Sequence, residues 1–328
     1  MSSTLLKLLV TRLAQGLLIM LLVSAVIFTL LRVVPGDPVR LIVGGMADDQ
    51  VREELSQELG LTDPIPVQYA TYLVNVFHGD LGTSFVRPSR SVEEDLDNPE
   101  DIVRGERASV TRLILERLPL SLGLTAAALL IALVISVPLG LFAGLHPGRW
   151  PDKLSFYIGS LFVSIPNFWL GLVLILLVSV KLDWLPAIGY QGMVYAILPA
   201  IVLAVEVSPV IMRTTSVAMA ETMQQKFIDY GYVRGLSRSR VVLGHGLRNA
   251  SVPLLNVLGI QASTLLGGVV VVEYVFNYPG LGLLTIDAVL QRDFPVLQGI
   301  ALFLAGIFVL LNIVVDILAT LIDPRLEN

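Results

Sequence analysis

The chain has 328 residues, 55% of them hydrophobic and only 15% charged, with a net charge of −5. Soluble domains carry about a quarter charged residues, so this is a membrane composition, and the small net charge gives no footing to a nucleic-acid or polyanion partner. Cysteine is absent, which excludes disulfides and thiolate metal sites, and His78, His146 and His245 lie far apart without ligand spacing.

Leu13 to Leu31 is uncharged and close to the ~20 residues a helix needs to cross the hydrocarbon core. Lys7 and Arg12 precede it, which predicts a cytoplasmic N-terminus. A secretory signal would have an apolar region of about 7–15 residues ending in small residues. This one is longer and runs into LLRVVPGDP, so it reads as a retained first span.

A long non-membrane stretch follows, from Arg32 to Arg117. Pro35-Gly36-Asp37-Pro38 is a strong turn signal. Asp48 to Glu58 reads as a short amphipathic helix and Val67 to Phe77 as a second, apolar one. Acidic residues then crowd together from Glu93 to Glu106, a composition that suits an extracytoplasmic loop and predicts disorder from Pro88 to Ala108. Either the segment meets a soluble partner or it is a solvated insertion.

Further spans are predicted at Leu118–Leu145, Leu154–Val180, Ala196–Met212, Pro253–Val272 and Val296–Leu321, six in all with the first. Pro138 and Gly140, and Ser164, Pro166 and Asn167, are tolerable inside membrane helices. Arg149 and Lys153 mark an inside turn, and Trp184 suits an interface. After the fifth span, EYVFNYPGLGLLTIDAVLQRDFP reads as exterior, with Pro279-Gly280-Leu281-Gly282 a tight turn opening a short re-entrant or interfacial helix. Both termini then fall inside.

The longest basic interlude, Glu221 to Asn249, reads helix, turn, helix. Gly235 stands where a left-handed C-terminal cap belongs and Ser237 where a second helix would be N-capped. Leu236, Val242, Leu243 and Leu247 supply the apolar positions of the second segment. Arg238 and Arg240 fall in its first turn, where the helix dipole disfavours positive charge, so they point to a partner surface or to lipid phosphates. The plain alternative is a basic loop obeying the positive-inside rule.

Three polar positions inside spans stand out. Glu206 lies mid-span, where a carboxylate costs about 2.5–3.5 kcal/mol on insertion scales. It faces a transport pathway, where it would favour a cationic group such as a peptide amino terminus, or it is hydrogen-bonded glue between helices. Asn312 and Asp316 form an i, i+4 pair on the last span, and Arg213 ends the fourth span in position to snorkel to the interface. The chain carries no GxxxxGK[ST] phosphate loop, no G-x-S-x-G and no HExxH, so no catalytic residue, metal ligand or cofactor-binding residue is assigned.

The wording of several stretches resembles one family. YGYVRGLSRSRVVLGHGLRNASVPLL is similar to the cytoplasmic "EAA" loop of bacterial ABC importer permeases in its dipeptide/oligopeptide form. LRVVPGDPVRLIVGG, LGLTDPIPVQYATYL, GDLGTSF, EYVFNYPGLG, RDFP and NIVVDILATLIDPRLE follow the same branch in order. The motif's glycine maps to Gly235, while its Glu-Ala-Ala positions map to Asp229, Tyr230 and Gly231, so the literal signature is absent.

The resemblance implies an all-α integral membrane protein of the type I ABC importer permease fold, with six transmembrane helices and a long extracytoplasmic loop after the first. Its regions would be 1–112 (first helix and loop), 113–323 (permease core) and 324–328 (cytoplasmic tail). It implies a B-type subunit for di-/oligopeptides or glutathione in the inner membrane, multi-pass, with a second related permease, two ATPase subunits and a solute-binding protein as partners. ATP and Mg would sit on the ATPase subunits and not on this chain. The coupling loop would hold Asp229, Tyr230, Gly231, Arg234, Gly235, Leu236, Ser237, Arg238, Arg240, His245 and Arg248, with Glu206 the candidate on the translocation path. A nickel or small-solute importer is the alternative within the family. Outside it stand a secondary transporter, which would show repeated halves and midplane ion sites, and a non-transporting receptor.

Overall fold

The computed structural model describes residues 3–33, 39, 50, 53, 56–57, 62–88 and 107–322, with side chains from Leu9 to Arg32 in the first helix and as far as Ile317 in the last. Ten helices and one small sheet account for most of them. The first helix, α1, covers Ser3–Val33, and α2 covers Ile65–Phe77, where Pro64 fixes the entry. Then come the strands β1 (Thr83–Pro88) and β2 (Arg107–Ser109), which pair antiparallel with an irregular register between Thr83↔Ser109 and Pro88↔Arg107. The helices that follow are α3 (Val110–Gly144), α4 (Trp150–Ser164), α5 (Asn167–Lys181) and α6 (Ile197–Met223). The chain closes with α7 (Lys226–Val233), α8 (Arg238–Val275), α9 (Leu281–Gln291) and α10 (Phe294–Ile322).

Among the described residues five helices are long and apolar enough to cross a membrane, or six with the bent pair α4 and α5 counted as one span. That pair departs from the sequence expectation of a single span over Leu154–Val180. The chain bends by 91° between Ser164 and Asn167. Pro166 disfavours helical geometry for Ile165, which is extended (φ −96°, ψ 117°), and Pro166 itself stands extended before Asn167. The Asn167 side-chain oxygen accepts the Phe168 N–H at 2.7 Å, which satisfies one of the donors that the break exposes. The end of α5 is π-helical, from Ile175 to Lys181.

Two compact units divide the chain. One comprises Met1–Arg12, Leu120–Gly282 and Phe308–Asn328. Its centre is α6, with 56% of its apolar window buried, whereas α10 buries only 11% of its own. Leu203, Val207 and Ile211 of α6 form a core with Leu124, Ala128 and Ala132 of α3 and Leu265, Val269 and Val272 of α8. Ser136, Gly140 and Gly144 recur every fourth residue on α3 and let it approach α6 closely, with the Ser136 hydroxyl donating to the Ser208 carbonyl at 3.0 Å. Asp316 pairs with Arg12 at 2.7 Å, and Asn312 donates to the Phe308 carbonyl of its own helix.

The other unit comprises Leu13–Pro119 and Leu283–Ile307. Here Ser24 of α1 shares a hydrogen bond with Tyr69 of α2 at 2.8 Å, and the Phe28 ring tilts against Tyr69 and Tyr72. The β-hairpin was not expected from the sequence. Its strands take up Pro88 and Arg107 to Ala108, the two ends of the segment predicted disordered, whose remainder lies outside the described residues. The helix expected over Asp48–Glu58 also lies largely outside them.

Candidate functional site

The basic interlude folds as helix, turn, helix. After Val233, Arg234 caps α7 and Gly235 adopts φ +78°, the left-handed conformation that L side chains avoid. The Leu236 N–H bonds to the Gly231 carbonyl at 3.2 Å, and the Gly235 N–H to the Tyr232 carbonyl at 2.9 Å. These two bonds are the 6→1 and 5→2 pair of a Schellman motif.

Ile228 and Gly231 face inward, where Gly231 lies against Val241 and Leu236. The opposite face presents Phe227, Asp229, Tyr230, Tyr232, Val233 and Arg234 to the exterior, with Tyr230 65% and Val233 85% exposed. Arg238, Arg240, His245 and Arg248 are exposed on the following segment. Two local expectations need correcting. Ser237 takes the N-cap backbone conformation, but its hydroxyl makes no capping bond; it lies 3.4 Å from the Ser239 hydroxyl. Leu243 points outward, because a π-helical stretch, Val241–Gly246, turns Val241, Val242 and Gly246 inward instead. Gly246 is packed against Met219 of α6.

Glu206 is partly exposed on the largely buried α6, on a line that Val210, Arg213 and Val217 continue. The Asn167 side-chain amide, at the break between α4 and α5, donates to the Glu206 carboxylate at 3.1 Å. From α8, Gly268 comes close enough that a Cβ there would sit 3.1 Å from the carboxylate. Among the described residues no base forms an ion pair with Glu206. The expected snorkelling residue Arg213 reaches Asp152 of α4 at 3.5 Å and lines a groove of about 420 Å³ with Ser160 and Ser164.

Sequence reading missed a second carboxylate. It placed Glu273 in an exterior segment, but α8 runs on to Val275 and Glu273 is completely buried. Its carboxylate accepts the Ser121 hydroxyl and the Gly282 N–H, each at 2.6 Å, while the Leu281 N–H donates to the Ser121 oxygen at 2.8 Å. A methyl group at Gly280 or Gly282 would overlap that carboxylate. The PGLG turn thus opens α9 with its free N–H groups tied to a buried anion, the favourable end of the helix dipole. Nearby Tyr278 has its phenol pushed up to about 12, by burial first and then by Tyr190 and Glu273.

In the other unit Asp293, also completely buried, accepts the Ser84 hydroxyl and the Phe85 N–H, the latter at 3.0 Å. GDLGTSF and RDFP, 209 residues apart at Ser84 and Asp293, therefore meet. Arg87 pairs with Asp287 at 3.0 Å, and burial lowers the Arg107 pKa against the pull of Asp293. Among the described residues no group of three or more His, Asp or Glu could hold a metal ion.

Residues 136–328 match a family model described as "Binding-protein-dependent transport system inner membrane component", and residues 5–125 match its N-terminal companion. The chain belongs to this family of ABC importer permeases. The glutathione transport system permease protein GsiC of Escherichia coli O6:H1 (strain CFT073) is 38% identical over 306 residues, covering 93% of this chain and 94% of the relative. GsiC of Salmonella paratyphi A is 36% identical over 308 residues, 94% of each chain. Among solved structures, "Inward facing conformations of the MetNI methionine ABC transporter" in its CY5 native crystal form matches with TM-score 0.54 and 22% identity, over 64% of this chain and 96% of that one. That likeness establishes the type I importer fold. The permease is thus a multi-pass inner-membrane transport protein, and its family model covers Glu206, the α7 turn and the Glu273 corner.

Proposed function

We propose that this permease moves short peptides of the dipeptide, oligopeptide or glutathione kind across the inner membrane, inward and at the expense of ATP hydrolysed by partner subunits. Its complex contains a second related permease, two ATPase subunits that hold ATP and Mg, and an external solute-binding protein. Both termini lie in the cytoplasm, as the basic residues Lys7, Arg12, Arg149 and Lys153 favour.

The observation that carries the reading is α7: a short helix with a buried inner face, a rigid C-terminal lock at Gly235 and an outer face exposing Phe227, Tyr230 and Val233 beside Asp229 and Arg234. Aromatic and arginine side chains on a fixed helix are what a docking cleft recognises. Closure of the ATPase pair drags α7, and α8 is covalently continuous with the turn that follows it. The spans then rock between outward-facing and inward-facing states. Glu206 lines the path and receives the cationic end of the substrate.

Co-purification from detergent-solubilised membranes, with subunits identified by mass, tests the assembly. A second permease and ATPase subunits are expected, whereas recovery of the chain alone sinks the reading. Gly235→Val tests the coupling, since a β-branched residue at φ +78° is strained. ATPase activity should persist without peptide uptake while the protein stays in the membrane; full uptake by the variant removes α7 from the coupling role. Stimulation of ATPase activity by a metal-loaded binding protein, and not by a peptide-loaded one, would replace the substrate assignment.

A further inference from the structure

Asn167 heads α5 at the right-angle break, and its side-chain amide is engaged at both ends. Oδ1 accepts the Phe168 N–H at 2.7 Å, and Nδ2 donates to Glu206 Oε2 at 3.1 Å. Turning the amide over would set Nδ2 against an N–H and Oδ1 against a carboxylate, so both partners select the same orientation. The break makes this arrangement possible. In an unbroken helix the Phe168 N–H would bond to the Ser164 carbonyl, and the Asn167 oxygen would have no anchor.

Among the described residues Asn167 is the one side chain that holds the Glu206 carboxylate. Glu206 Oε1 accepts no hydrogen bond from these residues and is not buried, and Gly268 of α8 brings no side chain to it. One oxygen is tied and the other is open. The chemistry of the holder matters as much as its reach. A lysine or arginine would neutralise the carboxylate, whereas an amide fixes it and leaves its charge for a ligand. A free glutamate would have to be immobilised as a cation arrives, which weakens binding by roughly two- to tenfold. A carboxylate already held has little of that freedom left to lose.

We propose that Asn167 is a positioning residue for substrate selection: its anchored amide holds the Glu206 carboxylate ready for the ammonium group of a peptide. The break between α4 and α5 supplies the anchor, so the interruption of the span is part of the site. This role rests on the reading of Glu206 as the receiver of the substrate's cationic end. The two hydrogen bonds of Asn167 do not. The competing role is purely local, a cap for the first turn of α5.

Asn167→Ser separates the two roles, because serine keeps an oxygen able to cap α5 but is one atom too short to replace the bond to Glu206. The assembled complex in proteoliposomes, driven by ATP and saturated with binding protein, is assayed for uptake of Ala-Ala and of N-acetyl-Ala-Ala. The ratio of the two should fall about fivefold in Asn167→Ser, with a melting temperature near that of the wild type. Adding Asn167→Ser to Glu206→Gln should change the ratio no further, since the one residue acts through the other. An unchanged ratio in Asn167→Ser, or an equal further fall in the Glu206→Gln background, makes Asn167 a cap and overturns the proposal. An unchanged ratio in Glu206→Gln alone sinks the path reading of Glu206 and the positioning role with it. Uptake of neither peptide by the wild type sinks the substrate reading alone. Cryo-electron microscopy of the Asn167→Ser complex then decides the positioning role without any substrate. A Glu206 side chain spread over several rotamers is expected, and one fixed as in the wild type overturns the proposal.

Discussion

Two glutamates sit in the same helical unit and are treated in opposite ways. Glu273 is completely buried, yet its carboxylate is met by the Ser121 hydroxyl and the Gly282 N–H, with glycines cleared around it. Glu206 is only half-buried, has one side-chain donor in Asn167 and shares an exposed line with Arg213. Burial alone would rank Glu273 as the functional group. Satisfaction reverses the ranking. A fully met carboxylate is a fastener, and a carboxylate with acceptor capacity to spare at an open surface is available to a passing ligand.

That contrast can be broken from either side. Glu273→Ala should have the largest effect, because it leaves the Gly282 N–H and the Ser121 hydroxyl buried without their acceptor. At about 1–3 kcal/mol for each orphaned group, a loss on the order of 3 kcal/mol is expected, read as a lowered melting temperature and poor recovery of monodisperse protein. Wild-type melting would show that the corner is not a fastener. Gly280→Ala comes next, since its methyl overlaps the same carboxylate; about 1–3 kcal/mol is expected from the overpacking, measured in the same way. Glu206→Gln should be the mildest for stability, within about 0.5 kcal/mol. Its signature is functional: uptake of peptides with a free amino terminus should fall relative to amino-blocked ones. Equal ratios in variant and wild type would make Glu206 a second fastener and erase the contrast.

Much of this was legible in local sequence. Uncharged runs placed the spans, and Gly235 announced a left-handed cap that the φ of +78° and two Schellman bonds bear out. Pro279-Gly280-Leu281-Gly282 announced a turn before a short helix, and α9 opens there. What escaped was whatever depends on distant partners. Ser121 and Glu273 are 152 residues apart, and Phe85 and Asp293 208, so no periodicity joins them. The hairpin was hidden because its strands are separated by an acidic stretch and one of them ends in proline. Pro166 was visible but ambiguous: the same residue that a continuous membrane helix tolerates stands here beside a right-angle break.

The β1–β2 ladder has a last consequence, for how the molecule can vary. Its strands close the base of the 89–106 segment, and β1 is anchored to Asp293 through Ser84 and Phe85. Lengthening a closed loop is inexpensive, about 0.6 kcal/mol for each doubling. A change in the number of residues between Pro88 and Arg107 therefore costs the β1–β2 pairing little, leaving this stretch of the sequence free to diverge in evolution while the membrane helices keep their packing.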